Sequence, residues 1–312
     1  MGPATTAPRA SDAAIAPGNH DGVHLGHQAL VHSARREARA HGWITRALTF
    51  DPHPTALLAP ERAPTPLTTI ARRVELLRHA GADEVLVQPF THEFAGQSPE
   101  SFMAWLLDQG ARALVVGPDF RFGKGRAGDV ESLRRFGADR GFSVLVENKV
   151  LVDGERVSSS GVREALAEGD VARARRWLGH VHDVAGEVVR GDRRGRTLGF
   201  PTANLDPEPV LLPADGVYAV VARVLGGPRT LLHGIANLGK RPTFEAGRSV
   251  EVHLFDFDRD VYGQRLRVGF VERIRGERRF DDVQALRAQI ALDCEAARAT
   301  LRSADSEGWA WI

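Results

Sequence analysis

The chain has 312 residues, with 41 Lys and Arg against 40 Asp and Glu and a formal net charge of +1. That length favours two domains, and the charge balance gives no electrostatic case for a nucleic-acid partner. No stretch is apolar enough to span a bilayer, and a lone cysteine, Cys294, excludes disulfides within the chain.

Met1 to Asp12 are rich in Pro, Ala and Thr and lack an apolar signal core, so they read as the disordered start of a cytoplasmic protein. The apolar run Ala13 to Ala16 predicts a strand. Gln28, Leu30, Val31, Ala34 and Ala38 trace a helix beyond it. Between them lies Gly18-Asn19-His20-Asp21-Gly22-Val23-His24-Leu25-Gly26-His27. A strand, a glycine-rich turn and a helix N-terminus make an anion site, because backbone N–H groups face outward and the helix dipole favours negative charge. Gly26 is expected to let the backbone approach a triphosphate closely. His24 and His27, three apart, share one face of the first helical turn, and each can donate a hydrogen bond to a phosphate oxygen. The run is similar to the H-x-G-H signature of nucleotidylyltransferases, where such donors stabilise charge as it develops. A zinc pair or two solvated histidines are the alternatives, and a zinc site wants a third ligand that is not obvious nearby.

Strand and helix patterns then alternate, which predicts a parallel sheet with helices on both faces. Ile44 to Phe50 is a strand ending in Asp51-Pro52-His53-Pro54, where the prolines predict an exposed loop on the same rim as His24. Ile70 to Ala80 reads as a helix and Glu84 to Val87 as a strand. Ser98-Pro99-Glu100 opens another helix. The strand Ala113 to Val116 runs into Gly117 to Asp129. There Phe120, Phe122, Arg121, Lys124 and Arg126 suit a flat ring beside phosphates. Phe142 to Glu147 is the next strand. Arg156-Val157-Ser158-Ser159-Ser160-Gly161-Val162-Arg163 then places hydroxyls and N–H groups at a helix start. That suits a second phosphate cradle or an ordinary cap.

After Leu178 the texture changes to short β-rich segments, with the boundary expected between Leu178 and Asp183. Val181 to Val189, Gly216 to Val224, Leu231 to Ala236, Ser249 to Phe255 and Leu266 to Ile274 predict a small antiparallel barrel. A last helix is expected over Asp281 to Arg302, with Cys294 as a structural thiol in it. The tail with Trp309 and Trp311 has no assigned role. Gly191 to Asn204 combines glycines and cations in a flexible clamp for a nucleotide. Thr202 and Asn204 offer neutral oxygens of the kind magnesium accepts, although Pro-Thr-Ala-Asn could equally be a plain turn. Alternation puts Glu251 and His253 on one strand face and Val250, Val252 and Leu254 on the other. A carboxylate there can take the proton of a primary alcohol attacking a γ-phosphate, or it is a surface glutamate on an edge strand.

Gly18–His27, Thr49–Pro54, Asp119–Asp129 and Arg156–Arg163 are similar, in order and spacing, to the adenylyltransferase half of the bacterial bifunctional riboflavin kinase/FMN adenylyltransferases, or FAD synthetases. Gly191–Asn204 resembles the riboflavin kinase motif, and the likeness runs from about Ala13 to Leu301. It implies a Rossmann-like α/β nucleotidylyltransferase domain over 13–180, a β-barrel kinase domain with a terminal helix over 181–304, and a tail over 305–312. It also implies riboflavin, FMN and ATP as small-molecule substrates, with Mg2+, in a monomer or transient homo-oligomer. Nucleotide and phosphate contacts are expected from Gly18, Asp21, Gly22, Gly26, Asp119, Arg156, Ser159, Ser160, Arg163, Gly191, Arg196, Gly199, Pro201, Thr202 and Asn204. Thr202 and Asn204 are also the expected magnesium residues. Flavin contacts are expected from Phe50, Pro52, His53, Pro54, Phe120, Arg121, Phe122, Asn237, Arg241 and Phe280, with Arg275 and Glu277 following the family's ending. Glu251 takes the role of general base, and His24 and His27 stabilise adenylyl transfer.

One position departs. The family pattern has Phe where this chain has His20. A ring with an ordinary pKa of about 6.5 there would make adenylyl transfer weak or pH-sensitive around neutrality. Two other readings stay open: a kinase whose N-terminal domain serves another substrate, and a non-catalytic flavin-binding regulator.

Overall fold

The computed structural model describes residues 11–190, 199–240, 248–306 and 308–312. Gly191, Arg196 and Arg241 lie outside the described residues. Contacts divide the chain into two compact units. The first ends at Val157, and the second comprises Thr65–Thr69 and Ser158–Ile312.

The first unit contains, in order, β1 (Ala13–Pro17), α1 (Leu25–His41), β2 (Ile44–Asp51), α2 (Pro54–Leu58), α3 (Ile70–His79), β3 (Glu84–Pro89), α4 (His92–Ala95), α5 (Pro99–Asp108), β4 (Ala111–Val116), α6 (Val130–Arg140), β5 (Ser143–Val146) and a short hairpin of β6 (Leu151–Val152) and β7 (Glu155–Arg156). The sheet has the order β3-β2-β1-β4-β5, with every pairing parallel. Central β1 is covered on both faces, which is why Ala13 to Ala16 form an unbroken apolar run at 0% exposure. The strand order reverses at β1, between β2 and β4. A doubly wound sheet opens a ligand crevice at the carboxyl end of such a strand. The loop Gly18–His24 leaves β1 at that point. Ile15, Leu48, Phe102, Leu106, Leu114 and Leu133 form the core beneath it. The expected loop at Asp51–Pro54 ends sooner than the prolines suggested. Pro54 opens α2, since its fixed φ suits a first helical position, and the His53 ring caps that helix by accepting the Thr55 N–H at 3.2 Å.

The second unit begins with α7 (Ser159–Glu168) and α8 (Val171–Leu178). There follow β8 (His182–Val189), β9 (Ala203–Pro207), β10 (Gly216–Val224), β11 (Leu232–Lys240), β12 (Arg248–Leu254), β13 (Arg265–Arg275) and α9 (Val283–Ser303). Six strands among the described residues close a barrel in the order β10-β11-β12-β9-β8-β13. The sequence pattern marks five of them. The sixth, β9, arises from the Pro-Thr-Ala-Asn run that also reads as a turn, and it pairs with β12 and β8. Helices α7 and α8 group with this unit. A side chain at Gly161 of α7 would collide with the Trp177 ring of α8, so glycine permits their close packing. Helix α9 lies over β10, β11 and β13. The tail, unassigned from sequence, completes that layer. Trp309 and Ile312 are buried with Val181, Cys294, Ala297 and Leu301, and the Trp311 ring stacks on His180 at 5.1 Å.

Candidate active sites

The loop after β1 is held in an uncommon shape. His20, Gly22 and Val23 have φ of 50°, 82° and 42°. A β-branched residue in the left-handed region is a strained choice, and such strain collects at functional sites. Burial and hydrogen bonds hold it there. Val23 is fully buried, its N–H donates to the His20 carbonyl at 3.0 Å, and its carbonyl accepts from Gln28 Nε2 at 2.8 Å. Asp21, expected as a nucleotide contact, is turned inward. It is 2% exposed and pairs at 3.0 Å with Arg73 of α3, whose guanidinium also donates to Thr49 Oγ1 at 3.3 Å.

His24 is the N-cap of α1. Its Nδ1 accepts the His27 backbone N–H at 3.3 Å, so a neutral His24 carries its proton on Nε2. The His24 and His27 rings stack, with centroids 3.6 Å apart and planes 15° apart. Gly26 earns its place here: a Cβ on it would lie 3.1 Å from the His24 ring. Burial drives the pKa of His24 down to about 3, with His20 contributing next. Burial also holds His27 well below the ordinary imidazole value, reinforced by His24, His20 and Arg73. His20 is fully buried, its Nε2–H donates to the Ala16 carbonyl at 3.0 Å, and burial lowers its pKa to about 4. The expectation that His20 would titrate near neutrality is therefore corrected, because desolvation keeps it neutral there.

In the second unit Glu251 of β12 stands opposite Asn204 of β9 on one side and Asn237 of β11 on the other. These cross-strand pairs put a carboxylate between two amides on one face of the sheet. Beneath α9 this face borders a cavity of about 730 Å³, lined among others by Thr202, Asn237, Glu251, His253, Arg275 and Phe280. A second cavity of about 470 Å³ lies against Val252, Leu254, Phe257, Arg259 and Tyr262 and also reaches Thr202. Glu251 and His253 thus line one cavity, the alternate residues Val252 and Leu254 line the other, and Thr202 lines both.

Residues 6–161 match the family model described as FAD synthetase, and residues 178–301 match the riboflavin kinase model. The bifunctional riboflavin kinase/FMN adenylyltransferase of Escherichia coli K12 is 41% identical over 284 residues, covering 90% of each chain. The chain belongs to this family. The enzyme of the same name from Bacillus subtilis 168 is 36% identical and covers 91% of this chain and 90% of its own. A crystal structure described as a macrolide-efflux protein from Streptococcus pneumoniae is 30% identical, with a TM-score of 0.84 and 96% of each chain covered. Among the described residues no helix is long and apolar enough to cross a membrane.

Several expected residues of this family member have structural duties. Phe122, expected at the flavin, is a core residue here: it is 6% exposed, packs 5.4 Å from Phe102, and fills the space over Gly128. Phe50 is half-buried against Phe90 and Phe94. Phe120 remains half-buried at the surface, stacked on Phe122, and Arg121 pairs with Asp129 at 2.9 Å. Asp119 accepts from Lys149 at 2.7 Å and Arg156 at 3.2 Å, and these cations, Lys149 first, hold its carboxyl below the usual range. Pro52 is exposed, and His53 Nε2 lies 3.1 Å from the Asn19 amide. Ser159 and Ser160 open α7, where Ser158 caps by accepting the Gly161 N–H at 3.2 Å. Arg163 donates Nε to the Thr65 carbonyl at 2.9 Å. Gly18 and Gly22 lie in the β1 loop. Gly199, with φ of 89°, and Pro201 precede β9.

Two features of the larger cavity in the barrel unit escaped sequence reasoning. Asp293, 3% exposed, accepts Arg275 Nε at 2.9 Å and Nη2 at 2.7 Å, and Gln289 Nε2 at 2.9 Å. Its signal was an acid on the apolar stripe of α9, in step with Ile290, Ala297 and Leu301. His253 donates Nδ1–H to the Pro201 carbonyl at 2.8 Å and meets the Phe200 ring edge-on, so it fixes the turn entering β9.

Proposed function

We propose that this chain converts riboflavin to FMN in the barrel unit and FMN to FAD in the sheet unit, consuming one ATP at each step. The carrying observation is the placement of Glu251 between Asn204 and Asn237, in a cavity that shares the lining residue Thr202 with a second one. Riboflavin occupies the larger cavity under α9, with Phe280 and the Arg275 guanidinium 5.6 Å from its ring as part of the wall. ATP occupies the smaller one, between Phe257, Arg259 and Tyr262. Glu251 takes the proton of the 5′-hydroxyl as its oxygen attacks the γ-phosphorus, and ADP leaves.

Thr202 and Asn204 suit magnesium carried by the nucleotide. They are neutral oxygen donors beside a carboxylate, and no group of three or more His, Cys, Asp or Glu among the described residues could hold a metal unaided. The ion would neutralise phosphate charge, and the protein's share is orientation of the hydroxyl and its base.

In the sheet unit the FMN phosphate attacks the α-phosphorus of a second ATP and pyrophosphate leaves. His24 and His27, at the N-terminus of α1, supply donors to the charge that develops. No covalent enzyme intermediate is needed. The test is product analysis after incubation with riboflavin and Mg-ATP. The wild type gives FAD, Glu251→Gln gives almost no FMN but still adenylylates added FMN, and His27→Ala stops at FMN. If Glu251→Gln makes FMN at the wild-type rate, or His27→Ala makes FAD at the wild-type rate, the assignment falls.

A further inference from the structure

Two nitrogen atoms in the histidine cluster have no hydrogen-bond partner among the described residues, although both are buried: Nδ1 of His20 and Nδ1 of His27. Their rings stand edge to face, with centroids 5.0 Å apart at 79°. A buried polar atom left without a partner costs about 1–3 kcal/mol, so two in adjoining rings call for an explanation. The His20 tautomer is fixed, because a carbonyl can only accept and Nε2 therefore carries the hydrogen given to Ala16. Nδ1 of His20 is consequently a lone pair.

We infer that His20 is a positioning residue for adenylyl transfer: its Nδ1 accepts a hydrogen from Nδ1 of His27, which sets His27 in the Nδ1–H tautomer and leaves Nε2 as a lone pair. Imidazole χ2 torsions are broad, and rotation of the His27 ring is the movement that would bring the two nitrogens together while His20 keeps its bond to Ala16. The inference rests on the adenylyl-transfer reading of this loop.

The consequence is a proton-linked site. In the free protein the groups facing His27 are the stacked His24, the near-perpendicular ring of His20 and the Arg73 guanidinium. Arg73 also faces His20, and Asp21 and Arg156 act on His24. Burial and this company keep all three rings neutral. A polyphosphate reverses the balance for His27, because its charge favours the imidazolium. Nε2 takes one proton from solvent and donates it to a phosphate oxygen, while Nδ1–H stays on His20. Both N–H groups of the cation are then satisfied inside a buried site. A neutral His27 in the opposite tautomer would set two lone pairs against each other.

The test is long-range proton–nitrogen NMR on the full chain labelled with 15N-histidine, near pH 7.5, with and without α,β-methylene-ATP and magnesium. Single substitutions assign the resonances. The free wild type is expected to have His27 in the Nδ1–H form, and the analogue is expected to protonate both of its nitrogens. In His20→Phe, His27 is expected to revert to Nε2–H. Adenylylation kcat should then fall roughly tenfold, within the range for residues that orient a reacting ligand, while riboflavin phosphorylation is unchanged. Finding His27 as Nε2–H in the free wild type, or the same His27 tautomer in His20→Phe, overturns the inference. If His20→Phe does not fold, the wild-type tautomer decides alone. The spectra are independent of turnover, so a chain that made no FAD would count against the adenylyl-transfer reading and not against the histidine pair.

Discussion

Replacing Asp293 with alanine isolates the contact that ties α9 to the kinase cavity. The carboxylate is 3% exposed and receives Arg275 through Nε at 2.9 Å and Nη2 at 2.7 Å, with Gln289 Nε2 at 2.9 Å beside them. Removing one partner of a fully buried ion pair costs about 3–5 kcal/mol, because the other charge stays behind desolvated. The Arg275 side chain is 22% exposed and can recover some solvent, which lowers the expectation to roughly 2–3 kcal/mol. At about 2–4 °C per kcal/mol for a unit of this size, the barrel should melt roughly 5–10 °C lower. The functional effect follows from the same release. Arg275 lies 5.6 Å over the Phe280 ring, and both line the larger cavity, so the wall loses its fixed shape. The KM for riboflavin should rise about tenfold, equivalent to about 1.4 kcal/mol of uniform binding, with kcat little changed. Asp293→Asn should fall between, since an amide oxygen can still accept from Arg275. The assays are calorimetry and initial rates of FMN formation. An Asp293→Ala protein with wild-type melting and wild-type KM would refute the argument that this pair shapes the pocket.

Acid should weaken the sheet unit. His20 and His24 have folded pKa values of about 4 and about 3, below the ordinary 6.5, so between those values the unfolded chain binds protons that the folded one refuses. Stability is therefore fully present above about pH 6.5 and is lost progressively as pH falls toward 4. Calorimetry from pH 7.5 to 5 checks this, and a sheet-unit transition that does not move would contradict it. Asp119→Asn gives an answer by its sign. If Lys149 and Arg156 hold phosphate, relieving them of the exposed carboxylate should lower the KM for ATP in adenylylation about two- to fivefold, the scale of a surface ion pair. A higher KM would mean that Asp119 itself serves the nucleotide.

What the sequence discloses is what local repetition controls. The strands of the sheet are legible because a parallel strand buried on both faces must be apolar throughout, as Ala13 to Ala16 are, and α5 is legible because Ser98 and Pro99 can only begin a helix well. The barrel is readable from five alternating segments. Its sixth strand is hidden, because Ala203–Pro207 carries the polar residues Asn204 and Asp206 and a proline at its end, and only pairing with β8 and β12 makes it a strand. The tail is hidden for the same reason: nothing near Trp309 in sequence announces that Val181, Cys294 and Ala297 wait to receive it.

The candidate sites divide along the same line. Spacing places His24 and His27 together and sets Glu251 apart from Val250 and Val252, since both follow from the period of one element. The state of those groups does not follow from spacing. His20 has the residue type of a neutral-pH switch, yet full burial removes the titration, against the opposing pull of the Ala16 carbonyl. Asp21 has the residue type of a ligand contact, yet Arg73, fifty-two positions away, turns it inward. Desolvation is a property of the whole packed unit and enters the free energy of a charge at several kcal/mol, well above the fraction of a kcal/mol by which neighbouring residues bias a local conformation. A motif can therefore name the groups at a site while the fold decides which of them carry charge, and the tautomer of His27 is where that decision bears on catalysis.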